Sequence, residues 1–232
     1  MLYGMRILVT SDIHANWYAL EAILSKESYE RFLFLGDTVG FGPNPRECIR
    51  FLLELYEKGV LIGVRGDDDN AVAYGINCQC SRELNVISRI TREWSEGVLT
   101  GKDIGFLRRL PHQNSFELDG FTFKMVHTQA LNLEAPGSEN TKPSVDFLLV
   151  GHSHRPFIRR IGRTTVINPG SAGQPMDLNP CVSYAIIENG RATIKRTTYD
   201  IDKAINELGK TRLPKTILKR ITSILVTGGI QR

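Results

Sequence analysis

The sequence is poor in cysteine and contains no long hydrophobic run. Its four cysteines are Cys48, Cys78, Cys80 and Cys181. Their spacing is irregular and provides no C-x-x-C pair, so we expect reduced structural thiols rather than a metal or redox motif. No apolar segment approaches the roughly 20 residues of a membrane span, and Arg6 and Asp12 interrupt the stretch where a signal peptide would have its apolar core. These absences predict a cytoplasmic protein without a membrane partner.

The motifs of several common enzyme classes are also missing. There is no G-x-x-x-x-G-K-[ST] phosphate loop, no G-x-G-x-x-G after the first predicted strand and no G-x-S-x-G around any serine. The sequence therefore argues against a phosphate-loop or dinucleotide-binding fold and against a serine hydrolase. The formal net charge of +4 permits an anionic partner. Because no aromatic-basic strand pattern or recognition-helix motif accompanies it, nucleic acid is not expected as a stable partner.

Hydrophobic periodicity predicts helices and strands that alternate first and are then mostly strands. Predicted helices cover 16–24, 45–58, a stretch after Asp67, 81–94 and 102–110; predicted strands cover 5–11, 31–35, 60–65, 115–118, 121–126, 146–150, 156–160, 164–167, 182–187 and 191–197. Asp119-Gly120 and Asn189-Gly190 are typical of hairpin turns. The polar segment 128–143 is expected to be irregular, either a surface loop or a lid. These patterns predict an α/β protein with two sheets.

Length and composition favour one domain. The 232 residues, 41% of them hydrophobic, suffice for a substantial core, and no internal repeat or interdomain linker stands out. We expect a single domain over 1–232, with the chemically informative motifs within about 5–190 and a helical tail at about 201–227. A homo-oligomer is compatible with the sequence.

Histidine is scarce, and its positions are informative. Of five histidines, four lie at or within four residues of the end of an apolar strand-like run: His14, His127, His152 and His154. His112, which follows a proline, is the exception. Three aspartates share this position: Asp12, Asp37 and Asp67. A single histidine of this kind would most simply be a hydrogen-bonded core residue. Since strand ends converge at one edge of an α/β sheet, the set as a whole predicts a metal site.

Seven such side chains exceed what one ion needs, so we expect two divalent transition metal ions (Mn, Fe, Ni, Co or Zn) bridged by a shared carboxylate and a water. Paired ions of this kind lie about 3.5–4 Å apart and favour in-line phosphoryl displacement. The bridging water loses a proton readily and attacks phosphorus as hydroxide, while the metals neutralise charge on the phosphoryl oxygens. The predicted chemistry is hydrolysis of a phosphate ester, with a small phosphate ester as substrate.

Five segments, in chain order, resemble the motifs of calcineurin-like metallophosphoesterases. They are Asp12-Ile13-His14, Gly36-Asp37-Thr38-Val39-Gly40, Gly66-Asp67-Asp68-Asp69, His127 and Gly151-His152-Ser153-His154. Phe41-Gly42-Pro43 and Asn168-Pro169-Gly170-Ser171 resemble the small phosphodiesterase branch of bacteria and archaea. The resemblance implies a four-layer α/β/β/α sandwich of two mixed β-sheets flanked by helices. It also implies one metal on Asp12, His14 and His154, the other on His127 and His152, and Asp37 between them.

The third motif departs from the family pattern, which usually reads Gly-Asn-His-Asp or Gly-Asn-Cys-Asp. Asp67 stands in place of an asparagine ligand, and its anionic oxygen can also coordinate metal. Asp68 stands in place of a histidine that assists phosphate binding and leaving-group departure in many relatives, which makes it a candidate catalytic residue. Ala15 stands where the family usually has glycine. Asp69 is expected to cap the following helix.

Two functions are consistent with these residues. The first is a dinuclear-metal-dependent phosphoesterase that hydrolyses small phosphodiesters or nucleotides by attack of a metal-bridging hydroxide. The second is a catalytically weak or inactive protein of the same fold that acts as a regulatory or protein-binding module, an interpretation that Asp68 and Ala15 favour. Bound metal together with turnover of an aryl phosphodiester would distinguish the first from the second.

Overall fold

The structure is a computed structural model that describes residues 4–76, 82–128 and 145–229. Within these ranges it contains ten strands and seven helices. The strands are β1 (Ile7–Thr10), β2 (Arg31–Phe34), β3 (Leu61–Gly63), β4 (Gln113–Leu118), β5 (Phe121–Val126), β6 (Phe147–Val150), β7 (Phe157–Ile161), β8 (Thr164–Asn168), β9 (Val182–Glu188) and β10 (Arg191–Thr197). The helices are α1 (Trp17–Leu24), α2 (Pro45–Glu57), α3 (Asp67–Tyr74), α4 (Arg82–Val98), α5 (Gly101–Arg109), α6 (Ile201–Leu208) and α7 (Lys215–Thr227).

The strands form two five-stranded sheets. Sheet A has the order β10-β9-β1-β2-β3, and sheet B has the order β4-β5-β6-β8-β7. In sheet A, β1, β2 and β3 are parallel while β9 and β10 are antiparallel to their neighbours. In sheet B, β5, β6 and β8 are parallel, and the edge strands β4 and β7 are antiparallel. The predicted α/β class, with two mixed sheets flanked by helices, is confirmed.

The two sheets pack face to face through alternate residues of their strands. Val9 and Leu33 of sheet A belong to one buried cluster with Phe123 and Leu149 of sheet B. The other face of sheet A packs against α1, α2 and α5. The outer face of sheet B carries a smaller buried cluster of Val126, Leu148, Val150 and Val166. The central strands β1 and β6 are buried along their whole length, as expected of parallel strands covered on both faces.

The predicted tail is helical, and it packs against the body of the chain. Buried residues of α6 and α7, including Leu208 and Ile221, share a cluster with Ile87 of α4 and with Phe41, which follows β2. The irregular loop predicted for 128–143 lies outside the described residues apart from its first residue, as do Cys78 and Cys80. Cys48 is buried and Cys181 half-buried, and both are free thiols. No helix of the described ranges is long and apolar enough to cross a bilayer.

Parallel pairing places the functional loops at one end of the sandwich. Strands β1, β2 and β3 run in the same direction, so the residues that follow Thr10, Phe34 and Gly63 emerge at the same edge of sheet A. The carboxyl ends of β5 and β6 emerge together from sheet B. The predicted ligands therefore meet where the two sheets end, as is general for α/β proteins.

Replacement of Leu149 by alanine should destabilise the sandwich. Leu149 is fully buried between the sheets, and truncating such a leucine typically lowers the free energy of unfolding by about 2–5 kcal/mol. Urea denaturation of the metal-free protein measures this loss. The matched control is Ile158→Ala on the edge strand β7, whose side chain is 41% exposed and should cost less than about 1 kcal/mol. Equal losses for the two variants would contradict the assigned inter-sheet core.

Candidate metal centre

The seven predicted ligands lie on loops that immediately follow strands. Asp12 and His14 follow β1, Asp37 follows β2, and Asp67 begins α3 after β3. The remaining three follow β5 or β6: His127, His152 and His154. The ligand atoms of all seven residues, together with Asp68, form four groups whose members lie within 4.8 Å of one another. His112 is exposed beside Asn70 and belongs to none of these groups.

Much of the backbone at the site is left-handed. Five of the seven residues have positive φ: Asp12, His14, Asp37, His152 and His154. Ala15 and Phe41 share this conformation, with φ of 52° and 57°. Each such non-glycine residue costs on the order of 1 kcal/mol or more, and the surrounding fold must hold it in place. A run of strained residues at one place is typical of a functional site.

Asp12, His14 and His154 form the first ligand group. Nε2 of His154 lies 3.2 Å from Oδ1 of Asp12 and 3.1 Å from Nε2 of His14. Nε2 of His14 lies 4.0 Å from Oδ1 of Asp12. The Asp12 side chain is completely buried, and neither of its oxygens has a hydrogen bond within the described residues. A buried carboxylate of this kind requires a positively charged partner.

Asp67, His127 and His152 form the second ligand group. Nδ1 of His152 lies 3.0 Å from Oδ2 of Asp67, and the Thr128 hydroxyl donates to the same oxygen at 3.0 Å. His127 is buried, whereas His152 and Asp67 are partly exposed. This group therefore faces solvent more openly than the first.

Asp37 lies between the two groups. Its Oδ2 is 3.1 Å from Nε2 of His127 and 3.8 Å from Nε2 of His14, which are histidines of different groups. Its Oδ1 accepts the backbone N–H of Asp68 at 2.9 Å, so the carboxylate is held in this orientation. The position is the one expected of a carboxylate shared by two cations.

Backbone carbonyls determine the tautomers of three histidines. The Nδ1···O distances are 3.1 Å from His14 to Val39, 2.7 Å from His127 to Leu35 and 2.6 Å from His154 to Gln174. Because a carbonyl oxygen only accepts, each Nδ1 carries the proton. Each Nε2 is thereby turned toward the carboxylates, the arrangement in which a second hydrogen bond orients a metal-ligating imidazole.

The charges of the cluster favour a cation at its centre. Burial lowers the pKa of His127, but Asp37 and Asp12 outweigh burial and hold that pKa well above its usual value. Burial and the neighbouring His154 lower the pKa of His14 to about 4. Burial raises the pKa of Asp37, but His127 outweighs it and the net shift is downward. The Asp37 carboxylate therefore stays ionised and stabilises positive charge placed beside it.

In the third motif, Asp68 is buried, which the sequence did not predict. Asp68 is not a free carboxylate at the surface, because it is 2% exposed and its Oδ1 accepts the Ser88 hydroxyl of α4 at 2.5 Å. Its Oδ2 lies 3.5 Å from Nδ1 of His14. Burial and the nearby Asp37 raise the pKa of Asp68 well above its usual value. Asp69, as predicted, holds the start of α3, since it accepts the N–H groups of Gly66 and Thr38.

The turn after β8 ties the ligand loops together. The Asn168 side chain donates to Gly151 O at 2.8 Å, and the Ser171 hydroxyl donates to Asp12 O at 2.7 Å. Gly173 approaches the first ligand loop so closely that a Cβ there would lie 1.8 Å from Ile13 O. Only glycine fits at this contact. Residues of this turn position the candidate ligands without belonging to the ligand groups themselves.

The donor set fits divalent transition metals. Buried carboxylate oxygens and imidazole nitrogens converge within coordination range of common points, and imidazole with carboxylate is a typical ligand combination for Mn, Fe, Co, Ni and Zn. The buried oxygens of Asp12 have no hydrogen bond among the described residues, and this favours the binding of cations beside them.

Comparison with known families agrees with this geometry. The family model of the calcineurin-like phosphoesterase superfamily domain matches residues 5–191. The chain belongs to this superfamily. The predicted family resemblance is thereby confirmed, and the superfamily's use of divalent metals matches the ligand groups described above.

Individual relatives cover nearly the whole chain. An uncharacterised protein of Methanocaldococcus jannaschii is 30% identical over 93% of this chain and 96% of its own length. The crystal structure of a metallophosphoesterase from Sphaerobacter thermophilus is 28% identical, with a TM-score of 0.76 over 97% of this chain and 99% of that chain. A hypothetical protein of Pyrococcus horikoshii shares the fold, with a TM-score of 0.80 over 100% of both chains at 21% identity.

Replacement of Asp37 by asparagine should weaken both metals at once. An amide oxygen binds cations less strongly than a carboxylate, and Asp37 lies beside a histidine of each ligand group. We expect the affinity for each of two Mn²⁺ ions to fall by more than about tenfold, while the variant still unfolds cooperatively and loses only the metal-dependent rise in melting temperature. Titration calorimetry and thermal melts measure these effects.

The matched control for this change is Asp119→Asn. Asp119 lies in the β4–β5 turn, also has positive φ, and accepts the Met5 N–H. The Asp119→Asn variant should bind metal with the same affinity as the natural protein. If Asp37→Asn retained both ions with unchanged affinity, the position of Asp37 between two cations would be wrong.

Proposed function

We propose that this member of the superfamily is a dinuclear-metal-dependent phosphoesterase that hydrolyses small phosphodiesters or nucleotides. The observation that carries the proposal is the position of Asp37, which joins two groups of three ligands into one continuous donor set. One cation would be held by Asp12, His14 and His154, and the other by Asp67, His127 and His152. When bound, two such cations supply an acidified water as nucleophile and neutralise negative charge on the phosphoryl oxygens.

Hydrogen bonds within the chain orient the candidate ligands. The carbonyls of Val39, Leu35 and Gln174 hold three imidazoles with Nε2 turned inward. The backbone N–H of Asp68 fixes the shared carboxylate. Preorganised ligands of this kind lower the reorganisation needed when charge develops on the substrate.

The adjoining cavity supports a small anionic substrate. Its volume is about 320 Å³, near the lower end of the range for small-molecule sites. His14, Asp37 and His154 form its metal-binding end. Arg155 is the one Lys or Arg among the described residues that line it, and the positive guanidinium favours a phosphate ester over a neutral compound.

We propose that Asp68 shapes the cavity beside His14 and does not donate a proton to the leaving group. Ser88 holds its carboxyl group, which lines the same cavity close to His14. The raised pKa of Asp68 favours its neutral form, so the charge that opposes a dianionic substrate comes from the anionic ligand Asp67, which offsets part of the positive charge of the cations. We therefore propose that the enzyme prefers diesters with good leaving groups over dianionic monoesters.

A test of the proposed function combines metal content with turnover. After loading with Mn²⁺, elemental analysis should find two ions per chain, and bis(4-nitrophenyl) phosphate should be hydrolysed. His152→Ala should lose mainly one ion, since it removes one ligand of the second group only, and turnover should fall at least about a hundredfold. Two bound ions without turnover of several diesters would instead favour a regulatory or protein-binding role.

Restoring the usual family residues should change the ester preference. The double variant Asp67→Asn with Asp68→His removes one anionic ligand and replaces the Asp68 carboxyl group with an imidazole, so the cations attract an anionic substrate and acidify water more strongly. We expect turnover to rise by roughly tenfold to a hundredfold, most for 4-nitrophenyl phosphate, and activity to begin at lower pH. Ser88→Ala, which removes only the hydrogen-bond donor of Asp68, is the control. No gain on any ester by a double variant that still binds two ions would refute the charge argument.

A further inference from the structure

Asn16 is a buried amide that joins two loops of the candidate metal centre. It lies two residues after His14, is the N-cap of α1, and is 2% exposed. Its Oδ1 accepts the N–H of Ala19 at 3.2 Å, and its Nδ2 donates to the carbonyl of Gly173 at 2.8 Å. Because a backbone N–H only donates and a carbonyl only accepts, these two partners fix the orientation of the amide. The side chain therefore connects the first ligand loop to the turn after β8 in one defined geometry.

The turn that Asn16 holds carries the carbonyl that orients His154. Gly173 donates its own N–H to Asp12 O at 3.1 Å. The next residue, Gln174, accepts at its carbonyl from Nδ1 of His154 at 2.6 Å. Asp12 and His154 belong to the same ligand group. A displacement of this turn would therefore move the His154 imidazole relative to the Asp12 carboxylate and change the spacing of two ligands of one cation.

A residue of the tail also contacts the Asn16 amide. Tyr199 lies between β10 and α6, beyond residue 191, where the superfamily match ends. Its hydroxyl accepts from Nδ2 of Asn16 at 3.2 Å. Its ring packs against two buried clusters, the one that α1 and α2 form with sheet A and the one that contains α6 and α7. The amide is thereby held by the tail as well as by the sandwich.

We infer that Asn16 and Tyr199 are positioning residues that set the spacing of the first ligand group without affecting the second. The inference rests on the proposed function, since it assumes one cation in each ligand group. In the second group, His127 is oriented by the carbonyl of Leu35 rather than by the turn after β8. Removal of a hydrogen bond that orients a metal ligand typically lowers metal affinity by about tenfold to a hundredfold. Loss of the Asn16 amide should therefore weaken one cation selectively.

Variants that each lack one ligand allow the two groups to be tested separately. His152→Ala removes a ligand of the second group, and His154→Ala removes a ligand of the first. Asn16→Ser is added to each, because serine caps a helix about as well as asparagine but lacks the Nδ2 donor. Titration calorimetry should show Mn²⁺ affinity lower by about tenfold or more with His152→Ala and changed by less than about threefold with His154→Ala. In the otherwise natural protein, Asn16→Ser should weaken one of the two ions.

A double-mutant cycle tests whether Tyr199 acts through Asn16. With His152→Ala present, Tyr199→Phe removes only the hydroxyl and should lower Mn²⁺ affinity by about threefold to tenfold, the effect of one neutral hydrogen bond. Adding Tyr199→Phe to Asn16→Ser should cause little further loss, because the amide that the hydroxyl contacts is already absent.

The matched control is Tyr184→Phe. Tyr184 is 2% exposed, and its hydroxyl donates to Glu27 at 2.8 Å. Neither residue belongs to a ligand group. Tyr184→Phe should lower the melting temperature of the metal-free protein, since it removes a largely buried hydrogen bond, but it should leave the affinity for both Mn²⁺ ions unchanged. The comparison separates loss of stability from loss of ligand spacing.

Other outcomes overturn the inference in distinguishable ways. Equal losses of Mn²⁺ affinity with His152→Ala and His154→Ala would indicate general loosening of the fold, and unchanged affinity with His152→Ala would exclude Asn16 as a positioning residue. Additive effects of Tyr199→Phe and Asn16→Ser would show that Tyr199 does not act through Asn16. The expected selective loss, in a natural protein that binds two ions but hydrolyses no diester, would support the positioning roles and overturn only the proposed function. A natural protein that binds no Mn²⁺ would overturn both.

Discussion

The most demanding constraint in this molecule is the placement of two imidazole nitrogens against each other. Nε2 of His14 and Nε2 of His154 are 3.1 Å apart, and each ring already uses Nδ1 to donate to a backbone carbonyl. Two lone pairs at this distance repel unless a proton or a cation lies close to both. The buried oxygens of Asp12 are available for the same positive charge. The centre is thus arranged around positive charge, which a proton or a bound cation can supply.

The rest of the fold must hold the ligand loops in this arrangement. The ligand loops contain several non-glycine residues with positive φ, and they contact one another through glycines such as Gly173 that admit no side chain. The parallel strands β1, β2, β5 and β6 end at this point, and their buried residues lock the two sheets together. Strain in the loops is tolerated because the packed sandwich fixes both ends of each loop. The fold and the site are therefore coupled through the ends of the strands.

Sequence patterns predicted those strands and the convergence of Asp and His residues well, because both follow from local periodicity and from the position of polar residues after apolar runs. The same patterns did not predict the burial of Asp68, which the sequence indicated only as a candidate catalytic residue. Its burial depends on Ser88, twenty residues later on α4, and on how that helix packs. Gln174 was missed for a similar reason. A glutamine after a glycine-rich turn has no distinctive signal until the fold brings it beside the metal ligands.

The residues within the superfamily match and the helices beyond it contribute differently to the site. This difference limits what family membership says about the substrate. The superfamily match ends at residue 191, and it includes every proposed metal ligand. The wall of the adjoining cavity depends on more than that region. Phe41 belongs to a buried cluster with residues of α6 and α7, which lie at 201–227 beyond the match. Family membership therefore supports metal binding at the ligand groups. The shape of the cavity must be argued from this chain's own packing, since helices beyond the match pack against Phe41.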